Sequence, residues 1–373
     1  MEDISANRFD RLWADCRDDY IAAVTGVGAS GWYILGREVA GFEADLAAWC
    51  DRATAVGCGN GMDALEIALR AAGIGAGDRV LTTPLSAFAT GLAILRAGAE
   101  PVYCDTDAHG LLDPAAAEAA LEADPAIRAV IPVHLYGHLA DMPRFTALAA
   151  ARDLLLIEDA AQAIGARREG QGVGATGHAV AFSFYPTKNL GAVGDGGALL
   201  PADAAMDAAA RSIRNYGQTE RYVHEVIGLN SRLDELHAAT LRRAFLPRLE
   251  GWLARRRGIA AAYLSGIDAP HVTLLPGPDP EGAGWHLFPV LVAPERRAAF
   301  LDHLTRHGVQ GGLHYPVLIP DQKAMTDRGA PRVHGDLANA RRFATGEVSL
   351  PIHPYLTEAE VAHVIDTVNG WGG

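Results

Sequence analysis

Of the 32 basic residues in this 373-residue chain only Lys188 and Lys323 are lysines, so the other 32 − 2 = 30 are arginines. Chemistry that needs a side-chain amine has two places to reside. Arginine cannot stand in, because a guanidinium stays protonated and is a poor nucleophile. Lys188 lies within Ser183-Phe-Tyr-Pro-Thr-Lys-Asn-Leu-Gly-Ala-Val-Gly-Asp-Gly-Gly197, where Pro186 disfavours a helix and the glycines favour a tight loop. A loop lysine is ordinarily a solvated charge. One retained in so arginine-rich a chain is a candidate amine for a Schiff base.

Two further segments could work with that amine. Ile157-Glu158-Asp159-Ala-Ala-Gln162 ends a predicted buried strand, where an unpaired carboxylate is costly. An Asp there reads either as a helix N-cap or as the partner of a protonated pyridine nitrogen in a pyridoxal cofactor. Gly57-Cys-Gly-Asn-Gly-Met-Asp63 is a glycine-rich turn opening a helix, able to offer amides and a helix N-terminus to a phosphate. It is not G-x-G-x-x-G and no acidic residue ends the next strand, which argues against a dinucleotide site; a P-loop pattern is absent as well. His134, His138 and His314 lack the acidic neighbour that would complete a metal set, so no metal is assigned.

The elements that must position these residues alternate. Strands are predicted at 53–57, 79–83, 101–104, 129–133 and 154–157, with helices at 63–72, 89–96 and 142–152 between them. Such alternation implies parallel pairing by crossovers, with helices on both faces and ligands beyond the carboxyl ends of the strands, where Asn60, His134, Glu158 and Asp159 gather. After Pro201 comes an Arg-rich helical stretch from Asp234 to about Ala262, interrupted by Pro247, then a Pro-Gly loop at 276–280. A helix at 295–307, a turn at Gly311-Gly312 and a helix at 357–368 complete a smaller α+β domain. The expected division is 1–245, a large α/β domain with a mostly parallel sheet, and 246–373, the small domain.

Composition narrows the function classes. The formal charge of −13 and the lack of a long basic run disfavour nucleic acid as a partner. Four cysteines without a C-x-x-C pair argue against a zinc ribbon, a dithiol site and a disulfide scaffold. No apolar stretch is long enough to span a membrane and the N-terminus lacks a signal pattern, so a cytoplasmic enzyme is expected.

Phosphate turn, strand-end Asp and lysine loop, in that order, resemble the fold-type I, aspartate-aminotransferase-like enzymes that use pyridoxal 5′-phosphate. More specifically, the chain resembles the DegT/DnrJ/EryC1/StrS family of nucleotide-sugar aminotransferases from about Gly36 to Leu356. The resemblance is carried by Gly77-Asp-Arg-Val80, Ile131-Pro-Val-His-Leu-Tyr-Gly137, Glu158-Asp-Ala-Ala-Gln162, Phe182-Ser-Phe-Tyr-Pro-Thr-Lys-Asn-Leu190 and Gly194-Asp-Gly-Gly197, and by Arg214-Asn-Tyr-Gly217, Asn230-Ser-Arg-Leu-Asp-Glu235 and His314-Tyr-Pro316. It implies that Lys188 forms the Schiff base and then shuttles a proton. Asp159 would hold the pyridinium, Gln162 would lie by the ring, and Ser183 with the backbone of Gly61 and Met62 would bind the phosphate. Asn230 is implied to reach that phosphate from a neighbouring subunit, hence a homodimer with shared active sites. Arg232, His314, Tyr315 and Gln322 are implied on the substrate side.

Three positions depart from the family pattern. Met62 stands where a threonine is common, Ala87 where an aromatic usually stacks on the ring, and Pro320 where many members carry a histidine before Gln322. The Asn-Ser-Arg-Leu-Asp-Glu segment looks more like members acting at C3 of dTDP-3-keto-6-deoxyhexoses than at C4. The implied reaction is ping-pong, with glutamate as donor, pyridoxamine 5′-phosphate between the halves and a nucleotide-linked ketosugar as acceptor. A C4 sugar, a keto-cyclitol or an aminobenzoate-type product stays open, and a non-catalytic sensor is the reading from another class.

Overall fold

The computed structural model describes residues 3–373. Eleven strands organise two sheets: β1 (Val56–Cys58), β2 (Arg79–Thr82), β3 (Glu100–Cys104), β4 (Ile127–Ile131), β5 (Leu155–Asp159), β6 (Ala179–Ser183), β7 (Gly197–Pro201), β8 (Thr273–Leu274), β9 (Phe288–Leu291), β10 (Arg332–His334) and β11 (Glu347–Leu350). The large sheet has the order β1-β7-β6-β5-β4-β2-β3-β10, and β8-β9-β11 form a separate antiparallel sheet. Two short ribbons, 167–172 and 218–224, lie outside both.

Alternation of side chains explains why the large sheet needs cover on both faces. Ile131 and Ile157 pack with the helix Gly61–Ala71, whereas their neighbours Val130 and Leu156 pack on the other face with Leu121 and Phe145. Toward the β6–β7 side the second face is closed by the helix Arg37–Trp49. Its Phe42 is fully buried and meets Phe184 edge-on at 5.4 Å. Burying such a ring contributes ~1.5–3 kcal/mol. The smaller sheet has its own core, where Phe288, Val290, Val348 and Leu350 meet Tyr263, Phe300 and Val364, and Ile4 from the N-terminal end joins it.

Several expectations are refined. Six strands of the large sheet are parallel as far as β6, but β7 runs antiparallel to both β6 and β1. The reason is the connection: the lysine loop between Ser183 and Gly197 contains no crossover helix, and a chain returning by a loop pairs antiparallel. The first strand begins at Val56, not 53, because Thr54 turns aside to bond Asp207 Oδ1 at 2.8 Å. The stretch after Asp234 is a helix Glu235–Thr240, a widened turn Leu241–Phe245, a tight turn Leu246–Arg248 and a helix Leu249–Gly266. Pro247 has no N–H to continue the ladder, so the break falls there. The edge strand Arg332–His334 carries no apolar alternation and was not foreseen. No helix among the described residues is long and apolar enough to cross a membrane.

Buried charges tie the pieces together. Glu43 accepts from Arg214 Nη1 at 2.5 Å and from the Gly57 amide at 2.8 Å, while Arg214 also donates to the Gly57 carbonyl at 2.7 Å. This locks β1 and the turn that follows it. Glu235 accepts from the amides of Gly36, Glu38 and Val39 and so satisfies the start of the helix Arg37–Trp49.

Gly197 pairs with both Cys58 and Ser183, and a Cβ on it would lie 2.3 Å from the Asn60 carbonyl carbon. Gly197→Ala should therefore destabilise by about 1–3 kcal/mol in urea unfolding. Gly251→Ala, on the exposed side of a helix with nothing within 4 Å of the added carbon, should stabilise by about 0.5–1 kcal/mol. Equal effects of the two would contradict this packing.

Candidate active site

The carboxyl ends of β5 and β6 place Asp159 and Ser183 side by side in the sheet, since Asp159 pairs with Ala181 two residues upstream of Ser183. The helix Gly61–Ala71 starts against them. A Cβ at Gly61 would lie 2.7 Å from the Ser183 Cβ, so the close approach requires glycine. Asn60 caps this helix with its Oδ1, 2.8 Å from the Asp63 amide, and its carbonyl takes the Ala64 amide at 3.1 Å. The amides of Gly61 and Met62, ahead of those first bonds, are the ones a helix start leaves for an anion. Ser231 fixes the turn by accepting from the Gly59 amide at 2.9 Å and donating to Asp63 at 2.7 Å.

Asp159 is 5% exposed. One carboxylate oxygen accepts from Thr90 Oγ1 at 2.8 Å and the other from the Ala161 amide at 3.2 Å. Burial pushes its pKa up, opposed by those two bonds and by the positive charge of Lys188. Lys188 answers in kind: burial lowers its pKa to about 8, and Asp159 works against that fall. An amine near pH 8 is partly neutral under physiological conditions and can both take and give a proton. A buried carboxylate, a half-neutral amine and a glycine-built cradle with Ser183 fit pyridoxal phosphate in its three parts: ring nitrogen, aldehyde and phosphate.

The far wall comes from residues distant in sequence. Gln162 Oε1 accepts from the Tyr136 amide at 2.7 Å, and its Nε2 donates to the Tyr315 hydroxyl at 3.1 Å. Tyr136 donates to the His314 carbonyl at 2.6 Å. His314 Nδ1 lies 2.9 Å from Ser349 Oγ, and burial together with the Lys188 charge lowers its pKa to about 4. Burial raises the Tyr315 phenol to about 12, with the Asp159 charge acting the same way.

The structure thus gathers Lys188, Asp159, Gln162, Ser183, Gly61, His314 and Tyr315. It does not bring Asn230, Arg232 or Gln322 into hydrogen-bond contact with them. Asn230 is exposed and bridges Asn215, whose Oδ1 receives Arg232 Nη1 at 3.0 Å. Arg232 also stacks on Tyr216 at 5.1 Å, and Gln322 bonds the Val317 carbonyl at 3.4 Å. The Met62 sulfur sits 4.0 Å from Arg96 Nη1. Phe88, next to Ala87, packs with Tyr103, Ile319 and Met325, and Pro320 is buried in the turn Ile319–Asp321.

Sequence reasoning missed four members. Thr90 lies on the helix Phe88–Arg96 and showed no signal in its Ala-rich surroundings. His286 is buried, its Nδ1 has no hydrogen-bond partner, and burial and then the Lys188 charge hold its pKa well below the usual value. Glu347 and Ser349 sit on β11, far from any motif. His134 does have an acidic partner: its Nε2 meets Glu158 at 2.9 Å, and Glu158 also takes the amides of Gly174 and Gly177. That pair is structural.

Because Asp159 holds the Lys188 pKa up, Asp159→Asn should move it below about 8. With only two lysines present, amine labelling of the cofactor-free protein followed by mass spectrometry reads this directly, with the exposed Lys323 as internal reference. An upward shift or none in the variant would contradict the assigned coupling.

A sequence model described as the DegT/DnrJ/EryC1/StrS aminotransferase family matches residues 14–369. A Streptomyces venezuelae protein named dTDP-3-amino-3,4,6-trideoxy-alpha-D-glucose transaminase is 44% identical over 96% of this chain and 93% of its own. The crystal structure of S. venezuelae DesV in complex with a ketimine intermediate superposes with a TM-score of 0.94 at 42% identity, covering 100% of this chain and 99% of that one. NtdA from Bacillus subtilis with bound cofactor PMP gives a TM-score of 0.91 at 28% identity, with 99% and 85% covered. The match spans the phosphate turn, the strand-end carboxylate, the lysine loop and the small sheet together, and the chain belongs to the DegT/DnrJ/EryC1/StrS aminotransferase family.

Proposed function

We propose that this protein transfers an amino group from glutamate to C3 of a dTDP-linked 3-keto-6-deoxyhexose, by a ping-pong mechanism, as a cytoplasmic homodimer. The observation that carries the reading is Lys188, a lysine brought by burial to about pH 8 beside a buried carboxylate at the sheet's carboxyl edge. The C3 position rests on likeness to the S. venezuelae transaminase.

Pyridoxal phosphate, when bound, supplies the carbonyl carbon that exchanges amines and the electron sink that makes Cα acidic. The protein does the rest. Asp159, held by Thr90 and the Ala161 amide, would stabilise the ring's protonated nitrogen. Ser183 and the amides of Gly61 and Met62 hold the phosphate, joined by the partner subunit's Asn230. Gln162, braced between Tyr136 and Tyr315, bounds the ring's edge. Lys188 Nζ takes the proton from Cα of glutamate and, in the second half, returns one to C3 of the sugar. Arg232, His314, Tyr315 and Gln322 are assigned to the substrate side. We read residues 1–245 as the lobe that holds the cofactor and 246–373 as the lobe that completes the pocket.

Exposed apolar residues support the dimer. Tyr222 is 79% and Ile227 86% exposed, with Tyr216, Val223 and Val226 beside them in the segment leading to Asn230. Apolar surface gathered this way marks an interface.

Lys188→Ala should retain the cofactor without a covalent link and lose turnover by roughly a thousand-fold. Turnover near wild type would remove Lys188 from the mechanism. The sugar assignment predicts saturable binding of dTDP alone, read by calorimetry. A keto-cyclitol or aminobenzoate substrate predicts none.

A further inference from the structure

Behind the pocket lies a buried carboxyl that the reaction as described does not use. Glu347 is 1% exposed. Its Oε1 is 2.5 Å from Ser349 Oγ, and its Oε2 accepts from the His314 amide at 2.7 Å. No ion pair with a lysine or arginine is formed at this carboxyl among the described residues. Ser349 Oγ in turn lies 2.9 Å from His314 Nδ1. The other ring nitrogen, Nε2, makes no hydrogen bond among the described residues and is not sealed from solvent. Carboxyl, hydroxyl and imidazole thus form an unbroken line from the small sheet to the neighbourhood of Lys188, whose charge His314 feels.

We propose that Glu347, Ser349 and His314 form a proton relay, in which Nε2 of His314 protonates the oxygen leaving the ketosugar and Glu347 replaces that proton through Ser349. The proposal rests on the ketosugar reading above, which requires a carbonyl oxygen to depart as water.

The line has two settings. With Glu347 ionised, Ser349 donates to it, Oγ accepts from Nδ1–H, and Nε2 faces the cleft as a bare acceptor. With Glu347 protonated, the Oε2 side is already occupied by the His314 amide, so the proton belongs on Oε1. It is then donated to Oγ, Ser349 donates to Nδ1, and Nε2 carries the hydrogen. Burial favours this second setting at neutral pH by raising Glu347 to about 8, against the pull of its hydrogen bonds and the Arg297 charge. The Tyr136 and Tyr315 phenols feel Glu347, and both stay neutral there. The imidazole also feels the Lys188 charge, and His286 feels Lys188, Arg256 and His314.

One transfer breaks the Nε2–H bond and forms O–H on the departing oxygen. The Ser349 proton passes to Nδ1 and the Glu347 proton to Oγ, so the negative charge ends on Glu347. Nothing is oxidised or reduced. The oxygen departs as water with two protons, one from Nε2 and one handed over by the amino nitrogen that replaces it; the second proton lost by that nitrogen recharges the relay. His314 is the acid at the substrate, and Glu347 and Ser349 act through it.

Nitrogen-15 NMR of histidine-labelled, cofactor-loaded protein tests this without turnover, with His314→Asn identifying the signal. The expected result is an Nε2–H tautomer at pH 7 that changes to Nδ1–H with a midpoint near 8. Glu347→Gln can still donate to Ser349 and accept from the His314 amide, so it should hold Nε2–H up to pH 9.5. Ser349→Ala should abolish the step. In Glu347→Gln the ketosugar half-reaction should slow at least about tenfold with KM little changed, and the glutamate half-reaction, in which water enters by the reverse of the same proton transfer, should slow with it. A wild-type tautomer independent of pH, a step that survives in Ser349→Ala, or an unaffected ketosugar half-reaction overturns the relay. Failure of the ketosugar reading itself would show separately, as wild-type enzyme that accepts glutamate's amino group but never passes it to the sugar.

Discussion

An amine and a carboxylate buried at one edge of a sheet constrain everything around them. Burial pushes the Asp159 pKa up, against the Thr90 and Ala161 bonds and the Lys188 charge, and brings the Lys188 pKa down to about 8, against the Asp159 charge. That balance is useful chemically and costly structurally. It requires a strand end that aims Asp159 out of the core, a threonine and an amide to hold it, and a loop that brings Lys188 back over the sheet. A surface lysine near its ordinary pKa would have none of this leverage.

The large sheet meets the requirement through one irregularity. Had the chain crossed over by a helix after β6, the lysine segment would have been carried to a face of the sheet. Returning as a loop, it stays at the carboxyl edge, and β7 inserts antiparallel between β6 and β1. The insertion brings the glycine-rich turn after β1 against Ser183, with glycine at 61 because the Ser183 Cβ, and at 197 because the Asn60 backbone, occupies the space a Cβ would need. Glu43 and Arg214 then lock that turn from beneath. Fold and cradle are one arrangement.

This logic makes clear what the sequence could reveal. Lys188 stood out because lysine is rare here, and Asp159 because a carboxylate ends a run of buried residues. The alternating strands and helices up to β5 were legible because apolar period and turn residues agree there. Thr90, His286, Glu347 and Ser349 were not, because each acts through a contact formed only in three dimensions and lacks local spacing. The same holds for the Asn-Ser-Arg-Leu-Asp-Glu segment, read as a substrate marker. Ser231 and Glu235 in it hold the phosphate turn and the start of the helix Arg37–Trp49. The edge strand Arg332–His334 escaped notice because three polar-flanked residues carry no period to detect.

The most direct test of the central claim, that Lys188 and Asp159 form a working pyridoxal site for amino transfer, is an absorption spectrum of the purified protein before and after glutamate, with no sugar present. The account predicts a yellow protein whose band disappears as the pyridoxamine form appears, within one turnover per site. A protein that cannot be made yellow by adding pyridoxal phosphate would contradict it, and so would a yellow band that glutamate leaves unchanged.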